Sequence, residues 1–273
     1  MELCDYHIHS SCSEDGHYTM AEMALAAYSA GVRRMCVTDH CDLDNYLTGY
    51  PKTGSYNHRE KTIAMYRDAL AQIPADMKLF LGMELGEGNH DPKRAAEIAA
   101  SPELDFVLGS LHNLEKKKDF YEMHYESYDE CMTLMDEYAD ELINLSKMDF
   151  FDVMAHIGYT IRYMRRDGFD VSFDLKNFGD KTEVILKNLI ANGKGIEINC
   201  SGYRTSNISA PIPGADILRL YKQLGGEIIT TGSDAHRTKQ AGKGLSEGMA
   251  TLRELGFKYY TVFEKRKPEF IKL

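Results

Sequence analysis

Short apolar runs alternate with amphipathic stretches along almost the whole chain. Each run is short enough for a buried strand, and the stretch that follows it has its apolar residues at helical spacing. The predicted strands cover residues 1–9, 35–37, 79–83, 106–109, 151–156, 195–199 and 228–231. The predicted helices cover residues 19–30, 59–72, 91–100, 127–146, 181–191, 215–224 and 245–255, and a last strand-like run covers 259–263.

This alternation predicts the fold class. Seven or more strand–helix units call for a parallel sheet with right-handed crossovers. At 273 residues, a closed α/β barrel fits better than an open sheet. The first helix is expected to start after Thr19, a suitable N-cap, and to end at Gly31. No Pro- or Ser-rich linker or low-complexity segment interrupts the chain, so we expect residues 1–273 to form one domain.

Residue types that bind metals fall where the predicted strands end. Six of the ten histidines are placed in this way, with one glutamate and one aspartate: His7, His9, His40, His112, His156, His236, Glu84 and Asp234. The carboxyl ends of parallel barrel strands share one rim, and barrel active sites are built there. The remaining histidines, His17, His58, His90 and His124, lie in loops or at helix starts, where we expect mostly solvated side chains.

The distribution of these residues, rather than any one of them, indicates a metal site. His7 and His9 alone fit a surface strand as well as a ligand pair, although positions i and i+2 of a strand face the same way. Imidazoles and carboxylates crowded on one rim would be desolvated and would repel one another without a cation. We therefore predict that this cluster binds metal.

The size of the cluster indicates more than one ion. A structural zinc takes four ligands and a catalytic zinc about three, so this set, enlarged by Asp15 from the first loop, suits two or three ions that share a bridging carboxylate. The chain has no CxxC pair or thiolate cluster, which favours Zn, Fe or Mn over an iron–sulfur centre. Clustered divalent ions orient a phosphoryl group and activate water, so the predicted chemistry is hydrolysis, most naturally of a phosphoester.

Composition excludes several classes of partner. Hydrophobic residues make up 43% and charged residues 27%, as in an ordinary globular protein with ample core. The net charge of -10 argues against nucleic acid or an anionic membrane as partner, but not against a small anionic substrate. No apolar run is long enough for a membrane span, and the chain begins with a strand rather than a signal peptide. The six cysteines lack CxxC spacing, so we expect free thiols in a reducing cytoplasm.

Two arginines follow predicted strands near the same rim. Arg162 comes shortly after His156, and Arg204 follows the strand that ends at Asn199. A guanidinium fork binds phosphate through two hydrogen bonds, so both are candidate anion ligands, and a surface salt bridge is the equal alternative for each. Motifs of other chemistries, such as GxSxG, GxxxxGK[ST] and a dinucleotide fingerprint after the first strand, do not occur.

The motifs together resemble the PHP (polymerase and histidinol phosphatase) family of metallohydrolases. They occur in the family's order and span nearly the whole chain: His7-x-His9, Thr38-Asp39-His40, Gly82-Met83-Glu84, Ser110-Leu111-His112, Ala155-His156 and Gly232-Ser233-Asp234-Ala235-His236. The resemblance implies a distorted (β/α)7 TIM-like barrel with a trinuclear metal site. It implies one ion at His7, His9, Glu84 and Asp234, a second at Glu84, His112 and His156, and a third at Asp15, His40 and His236.

Within the family, the segments 156–162 and 197–199 are most similar to those of the histidinol-phosphate phosphatases. The resemblance implies hydrolysis of L-histidinol phosphate in histidine biosynthesis, by a metal-activated hydroxide, with Arg162 and Arg204 as phosphate ligands. Glu84, Asp234 and His236 are then the candidate catalytic residues, with Asp234 or His236 beside the leaving group. A phosphoesterase acting on nucleotides and a metal-binding module without activity are the alternatives.

The substrate's imidazole and ammonium would need aromatic and acidic partners. The loop after the second strand offers Asp42, Asp44, Tyr46 and Tyr50 for this role, although a solvated loop explains these residues equally well.

Overall fold

Parallel strands form the wall of a barrel in the computed structural model, which describes residues 2–43 and 59–273. The strands are β1 (Leu3–Asp5), β2 (Val32–Val37), β3 (His40–Asp42), β4 (Lys78–Gly86), β5 (Phe106–Ser110), β6 (Val153–Met154), β7 (Gly195–Asn199) and β8 (Ile229–Gly232). Their order is β1-β2-β4-β5-β6-β7-β8, and β3 pairs with β4 as a continuation of β2's path. The predicted parallel sheet is confirmed.

Backbone hydrogen bonds join the first and last strands of this sheet. The N–H of Tyr6 donates to Thr231 O at 2.8 Å, and the N–H of Asp234 donates to His7 O at 2.6 Å. The N–H of His9 donates in turn to Ala235 O at 2.9 Å. The sheet therefore curves into a nearly closed barrel of seven parallel strands, as the expected distorted (β/α)7 fold requires.

Helices cover the outside of the barrel. They are α1 (Met20–Ser29), α2 (Arg59–Leu70), α3 (Pro92–Ala99), α4 (Tyr128–Leu145), α5 (Ile161–Arg166), α6 (Leu175–Ala191), α7 (Ala215–Gln223) and α8 (Leu245–Glu254). Thr19 caps α1 as predicted: its side chain accepts the N–H of Glu22, and the Glu22 side chain accepts the N–H of Thr19. These two backbone N–H groups have no carbonyl partner within the helix, and both are hydrogen-bonded by the capping side chains. This explains why the helix starts where the sequence indicated.

Several elements differ from the sequence-based expectation. Strand β1 ends at Asp5, although the predicted strand covered residues 1–9, and β3 was not predicted. Helix α5 was not expected; it is six residues long, and Thr160 before it makes no side-chain cap, so its local signal is weak. Helix α6 starts at Leu175, earlier than predicted, because the Asp174 side chain accepts the N–H of Asn177 and caps it there. The final strand-like run is one arm of an antiparallel hairpin formed by β9 (Tyr259–Glu264) and β10 (Lys267–Lys272).

This hairpin closes the amino-terminal end of the barrel. The Tyr6 ring lies 5.4 Å from Phe106, whose ring lies 4.9 Å from Phe263 in β9. The Tyr6 hydroxyl donates to Phe263 O at 2.9 Å. Arg266, in the hairpin turn, donates to Phe150 O at 2.8 Å, just before β6. The barrel interior is thus packed and apolar at this end, which leaves the opposite rim for polar chemistry.

The six cysteines are buried. Burial raises the pKa of Cys4 to about 12, so this thiol stays protonated and behaves as a small apolar side chain. Among the described residues, no helix combines the length and apolar character needed to cross a membrane.

Candidate metal centre

The carboxyl-terminal rim of the barrel brings together the predicted histidine and carboxylate cluster. The ring centroids of His7 and His9 are 5.1 Å apart, although β1 itself ends at Asp5. Those of His112 and His156, from different strands, are 5.3 Å apart. Parallel strands end at this rim, so residues far apart in sequence meet there.

Glu84 lies at the centre of the cluster, and its Oε1 faces two histidines. The atom is 2.8 Å from His156 Nε2 and 3.1 Å from His112 Nε2. The Glu84 residue is fully buried at 0% exposure and lies two residues before the end of β4. A buried carboxylate in contact with two imidazoles is a suitable bridging or terminal ligand for a divalent ion.

The second oxygen, Glu84 Oε2, faces the other side of the cluster. It lies 3.2 Å from His7 Nε2, 3.5 Å from His9 Nε2 and 3.0 Å from His40 Nδ1. None of these four buried atoms has a hydrogen-bond partner. Buried polar atoms that converge without hydrogen bonds are costly, and a metal ion between them would satisfy their lone pairs. The donor set therefore fits divalent metal ions.

Asp234 adds a second carboxylate beside the same histidines. Its Oδ1 is 3.8 Å from His7 Nε2 and 3.6 Å from His9 Nε2, while its Oδ2 accepts from Arg162 Nη2 at 2.6 Å. The backbone of Asp234 is in the left-handed region, with φ of 54°. A non-glycine residue held there is strained and needs support from its surroundings, as is common at functional sites.

The third expected group is also assembled. Asp15 Oδ2 is 3.0 Å from His236 Nε2, and Asp15 Oδ1 is 3.8 Å from His40 Nε2. The His40 and His236 Nε2 atoms are 3.5 Å apart. This group is the more open part of the cluster, because the Asp15 side chain is 60% exposed.

Glu197 contacts His7 on the side of the ring opposite Glu84, and the sequence analysis did not single it out. Its Oε1 is 2.8 Å from His7 Nδ1, and its Oε2 accepts the backbone N–H of His156 at 2.9 Å. A Cβ at Gly232 would lie 2.2 Å from Glu197 Oε1 and 2.3 Å from His7 Cβ, so glycine is needed for this contact. The sequence signal that could have indicated this role is a charged residue inside an otherwise apolar strand.

Asp39 organises the loop that carries Asp15, and its role was also missed. It accepts the Ser10 N–H at 2.6 Å, the Ser10 hydroxyl at 2.7 Å and the Ser13 hydroxyl at 2.7 Å. The Ser13 Oγ lies 3.2 Å from His9 Nδ1. One buried carboxylate thus fixes the start of the loop and orients the His9 ring.

The two arginines lie at this rim but are engaged differently. Arg162 Nη2 donates to Asp234 Oδ2 and to Ser201 Oγ at 2.7 Å, whereas its buried Nε has no hydrogen-bond partner. The terminal nitrogens of Arg204 donate to backbone carbonyls, those of Ser233 and, at 2.7 Å, Asp234. Arg162 keeps an N–H for an anion, while Arg204 mainly holds the strained backbone of Asp234.

Burial and neighbouring charges set the protonation of the cluster. Burial alone would lower the pKa of His7, but the Glu197 carboxylate and the other nearby carboxylates outweigh it and hold that pKa well above its usual value. Burial would raise the pKa of Glu84, yet the surrounding imidazoles hold it well below its usual range. Burial and the adjacent imidazoles keep the pKa of His9 well below its usual value. An ionised Glu84 and a neutral His9 are the forms that bind metal.

Of the residues suggested for the substrate's cationic groups, only Asp42 falls within the described ranges. Its Oδ1 lies 3.4 Å from His112 Nδ1, so it is a neighbour of the cluster. Asp44, Tyr46 and Tyr50 lie outside the described residues, as does His58. Of the histidines expected to be mostly solvated, His17 and His124 are exposed, whereas the His90 side chain is only 7% exposed and contacts Glu141.

Comparison with known proteins gives a consistent result. A family model described as PHP domain matches residues 5–201. Most residues of the cluster fall within that range, whereas Asp234 and His236 lie beyond it. Their inclusion in the cluster therefore rests on the distances given above. A relative from Thermotoga maritima named "Probable histidinol-phosphatase" is 28% identical, with 97% of each chain covered.

Two further matches come from Lactococcus lactis subsp. lactis. A protein named "Histidinol-phosphatase" is 23% identical, with 98% of this chain and 96% of that one covered. A crystal structure described as histidinol phosphate phosphatase complexed with Zn, L-histidinol and phosphate has a TM-score of 0.77. It is 22% identical and covers 98% of this chain and 99% of its own. At this level of identity the structural match establishes a shared fold.

Proposed function

The chain belongs to the PHP domain family, and on that premise we propose that it hydrolyses L-histidinol phosphate to L-histidinol and phosphate. The observation that carries the proposal is the Glu84 carboxylate between the histidines of the rim, with Asp234 and Arg162 beside it. Full-length similarity to proteins named histidinol-phosphatase supports the choice of substrate.

We assign the cluster to two or three divalent ions, with Zn, Fe and Mn as the candidate metals. His7, His9, Glu84 and Asp234 would hold one ion; Glu84, His112 and His156 a second; Asp15, His40 and His236 a third. Such ions, when bound, activate a water molecule as nucleophile and neutralise charge on the phosphoryl oxygens. The buried, unpartnered atoms of Glu84 and its histidine neighbours favour this assignment.

The residues around the ions have distinct tasks in this proposal. Arg162, which has an uncommitted Nε, binds a phosphoryl oxygen and stabilises the charge that spreads over the equatorial oxygens. Arg204 adds positive charge and fixes the backbone of Asp234 through the Asp234 carbonyl. Asp234 and His236, whose Oδ1 and Nδ1 atoms are 3.7 Å apart, would hold ions beside the leaving alkoxide, and those ions would neutralise its charge.

A substrate comparison tests the proposal. The protein, with Zn, Mn or Fe restored, is expected to hydrolyse L-histidinol phosphate with a kcat/KM at least about a hundredfold above that for generic phosphomonoesters, because differential binding of about 3 kcal/mol corresponds to that ratio. Steady-state phosphate release on L-histidinol phosphate, p-nitrophenyl phosphate and mononucleotides would measure this. Equal and slow turnover of all of them, or a preference for a mononucleotide, would contradict the substrate assignment.

Glu197 is expected to matter through His7. In Glu197→Gln the carboxylate no longer polarises His7 Nδ1–H, so metal affinity should fall by about 10–100-fold, as is typical when an outer-shell partner is lost. Competition with a chelator of known affinity measures the change directly. Glu183→Gln, on the surface of α6, is the matched control and should bind metal as the unaltered protein does. An unaltered affinity in Glu197→Gln would show that His7 needs no such partner.

A further inference from the structure

Asn199, the last residue of β7, lies between the metal centre and Arg162. The residue is fully buried. Its amide nitrogen donates to Glu197 Oε2 and to Asp234 Oδ2, both at 3.1 Å. Its amide oxygen accepts from Arg162 Nη2 at 3.1 Å and from the Ser201 hydroxyl at 2.6 Å. One side chain thus joins two buried carboxylates to the guanidinium.

The neighbours of this amide determine its orientation. If the Asn199 amide were inverted, its oxygen would face the two carboxylates and its nitrogen would face the guanidinium, and both contacts would be repulsive. A carboxamide offers two N–H donors for two carboxylates and an acceptor for a guanidinium, which neither a hydroxyl nor a carboxylate can do. Asparagine therefore suits this position for a chemical reason and not only for its size.

Pairing with two other segments fixes the backbone that carries this side chain. The Asn199 N–H donates to Ile212 O at 2.8 Å, and the Ile212 N–H donates to Asn199 O at 3.0 Å. Asn199 also pairs with Gly232 of β8, two residues before Asp234. Side chains on strands hold their groups more precisely than side chains on loops. The amide therefore has a fixed position relative to Asp234.

Arg162 receives its orientation from these contacts. Its Nη2 donates to Asn199 Oδ1, to Ser201 Oγ at 2.7 Å and to Asp234 Oδ2 at 2.6 Å, so three acceptors share two N–H groups. The guanidinium carbon also lies 5.3 Å from the centre of the Tyr159 ring. Nη2 therefore has no N–H left for a ligand, whereas the buried Nε has no hydrogen-bond partner.

The helix that carries Arg162 gives the side chain little support of its own. Helix α5 is six residues long, Arg162 is its second residue, and Thr160 makes no side-chain cap. Short helices without caps are marginal in isolation. The position of the guanidinium therefore depends on side-chain contacts such as the one with Asn199 rather than on the helix.

We propose that Asn199 is a positioning residue, which holds Arg162 in register with the metal centre and so directs the Arg162 Nε at the phosphoryl group of the substrate. The inference rests on the proposed function, in which Arg162 binds a phosphoryl oxygen. Glu197 and Asp234 hold the amide nitrogen, and the amide oxygen in turn holds Arg162 Nη2. Every phosphomonoester carries the same phosphoryl group, so Asn199 acts on phosphate affinity and rate, not on the choice of alcohol.

A double-mutant cycle with Arg162 tests this role. In Asn199→Ala with metal restored, we expect the Kd of inorganic phosphate, measured by calorimetry, to rise about tenfold or more, because the guanidinium loses an acceptor and Nε its orientation. In an Arg162→Ala background the same substitution should change this Kd by less than about twofold. The kcat/KM values for L-histidinol phosphate and p-nitrophenyl phosphate should fall by equal factors. Elemental analysis should show an unaltered metal content.

Ser201→Ala removes the other uncharged acceptor of Arg162 Nη2 and leaves the contacts of Asn199 with the two carboxylates in place. It should weaken phosphate binding by about threefold to tenfold, again with no further loss in the Arg162→Ala background. This variant decides the question if circular dichroism shows that Asn199→Ala does not fold. Asn177→Ala, at an exposed position of α6, is the matched control and should bind phosphate and metal as the unaltered protein does.

Three other results would overturn the proposal. Losses that add in the double variant would mean that Asn199 acts independently of Arg162. A fall in metal content that accounts for the weaker phosphate binding would mean that Asn199 acts only through the metal ligands. An unaltered phosphate Kd in Asn199→Ala, or in Ser201→Ala where only that variant folds, would show that Arg162 needs no such partner. If the unaltered protein does not prefer L-histidinol phosphate, the substrate assignment fails, whereas the phosphate cycle still judges Asn199.

Discussion

Glu84→Gln is expected to lose both metal and activity while the barrel remains folded. The substitution keeps the size of the side chain but removes the charge that holds the histidines of the rim around one point. We expect fewer than one ion per chain and a fall in kcat/KM of about 10³-fold or more, beyond the 10–100-fold typical of outer-shell partners. Elemental analysis and phosphate release measure the two losses, and circular dichroism reports the fold.

Glu97→Gln, on the exposed face of α3, is the control for loss of a carboxylate as such. It should retain full metal content and rate. His7→Ala should resemble Glu84→Gln, because His7 lies 3.2 Å from Glu84 Oε2 and 3.8 Å from Asp234 Oδ1. If either cluster variant kept full metal and full turnover, the central role given to Glu84 and the rim would be wrong.

Asp39→Ala is expected to produce the largest loss of stability. The buried Asp39 carboxylate accepts hydrogen bonds from the backbone and hydroxyl groups of Ser10 and Ser13, and the substitution leaves these buried donors unpaired. Hydrogen bonds to a charged group contribute about 1.5–3 kcal/mol each, so we expect a loss of at least about 3 kcal/mol. Urea unfolding of the chelated protein, compared at equal m-values, measures it.

The same variant should weaken metal binding at the open side of the cluster, because the loop from Ser10 to Asp15 loses its anchor. Asp39→Asn keeps one acceptor oxygen, so its stability and its metal affinity should lie between those of Asp39→Ala and the unaltered protein. Asp170→Ala is the matched control, since the Asp170 side chain is 100% exposed. A stability for Asp39→Ala equal to that of this control would show that the loop is held by other contacts.

The parts of the fold that the sequence predicted have local causes. Helix α1 has a complete capping box at Thr19 and Glu22, so four consecutive residues determine where it starts. The meeting of the candidate metal ligands was also predictable, because parallel strands end at one rim whatever their detailed packing. Position along each strand was therefore enough to bring His7 together with Asp234 from the other end of the chain.

The hairpin of β9 and β10 had no such local cause. Hairpin turns that need left-handed residues favour Asn and Gly, but here Lys265 and Arg266 adopt φ values of 49° and 61°. Distant contacts hold them: the Lys265 N–H donates to Asp105 Oδ1 at 3.0 Å, and Arg266 donates to Ala99 O at 2.8 Å. Only the folded barrel supplies these partners.

The role of Glu197 could not be predicted from the sequence for a similar reason. Its partner, His7, is 190 residues away, and a single glutamate in an apolar strand does not reveal what it will meet. Glu87, which accepts the His112 N–H, likewise gains significance only when strands β4 and β5 place His112 between it and Glu84. Ligands that share a rim can be found from their spacing, whereas the residues that orient them depend on packing.

The hairpin that seals the barrel also places both chain ends on one side of the molecule. The Tyr260 hydroxyl donates to Glu2 O at 3.0 Å, and Arg34 bridges Glu2 at 3.1 Å and Glu269 in β10 at 2.8 Å. Both ends therefore lie away from the rim that carries the candidate metal ligands. A protein fused to either terminus, or a surface tether attached there, would leave the mouth of the barrel facing outward.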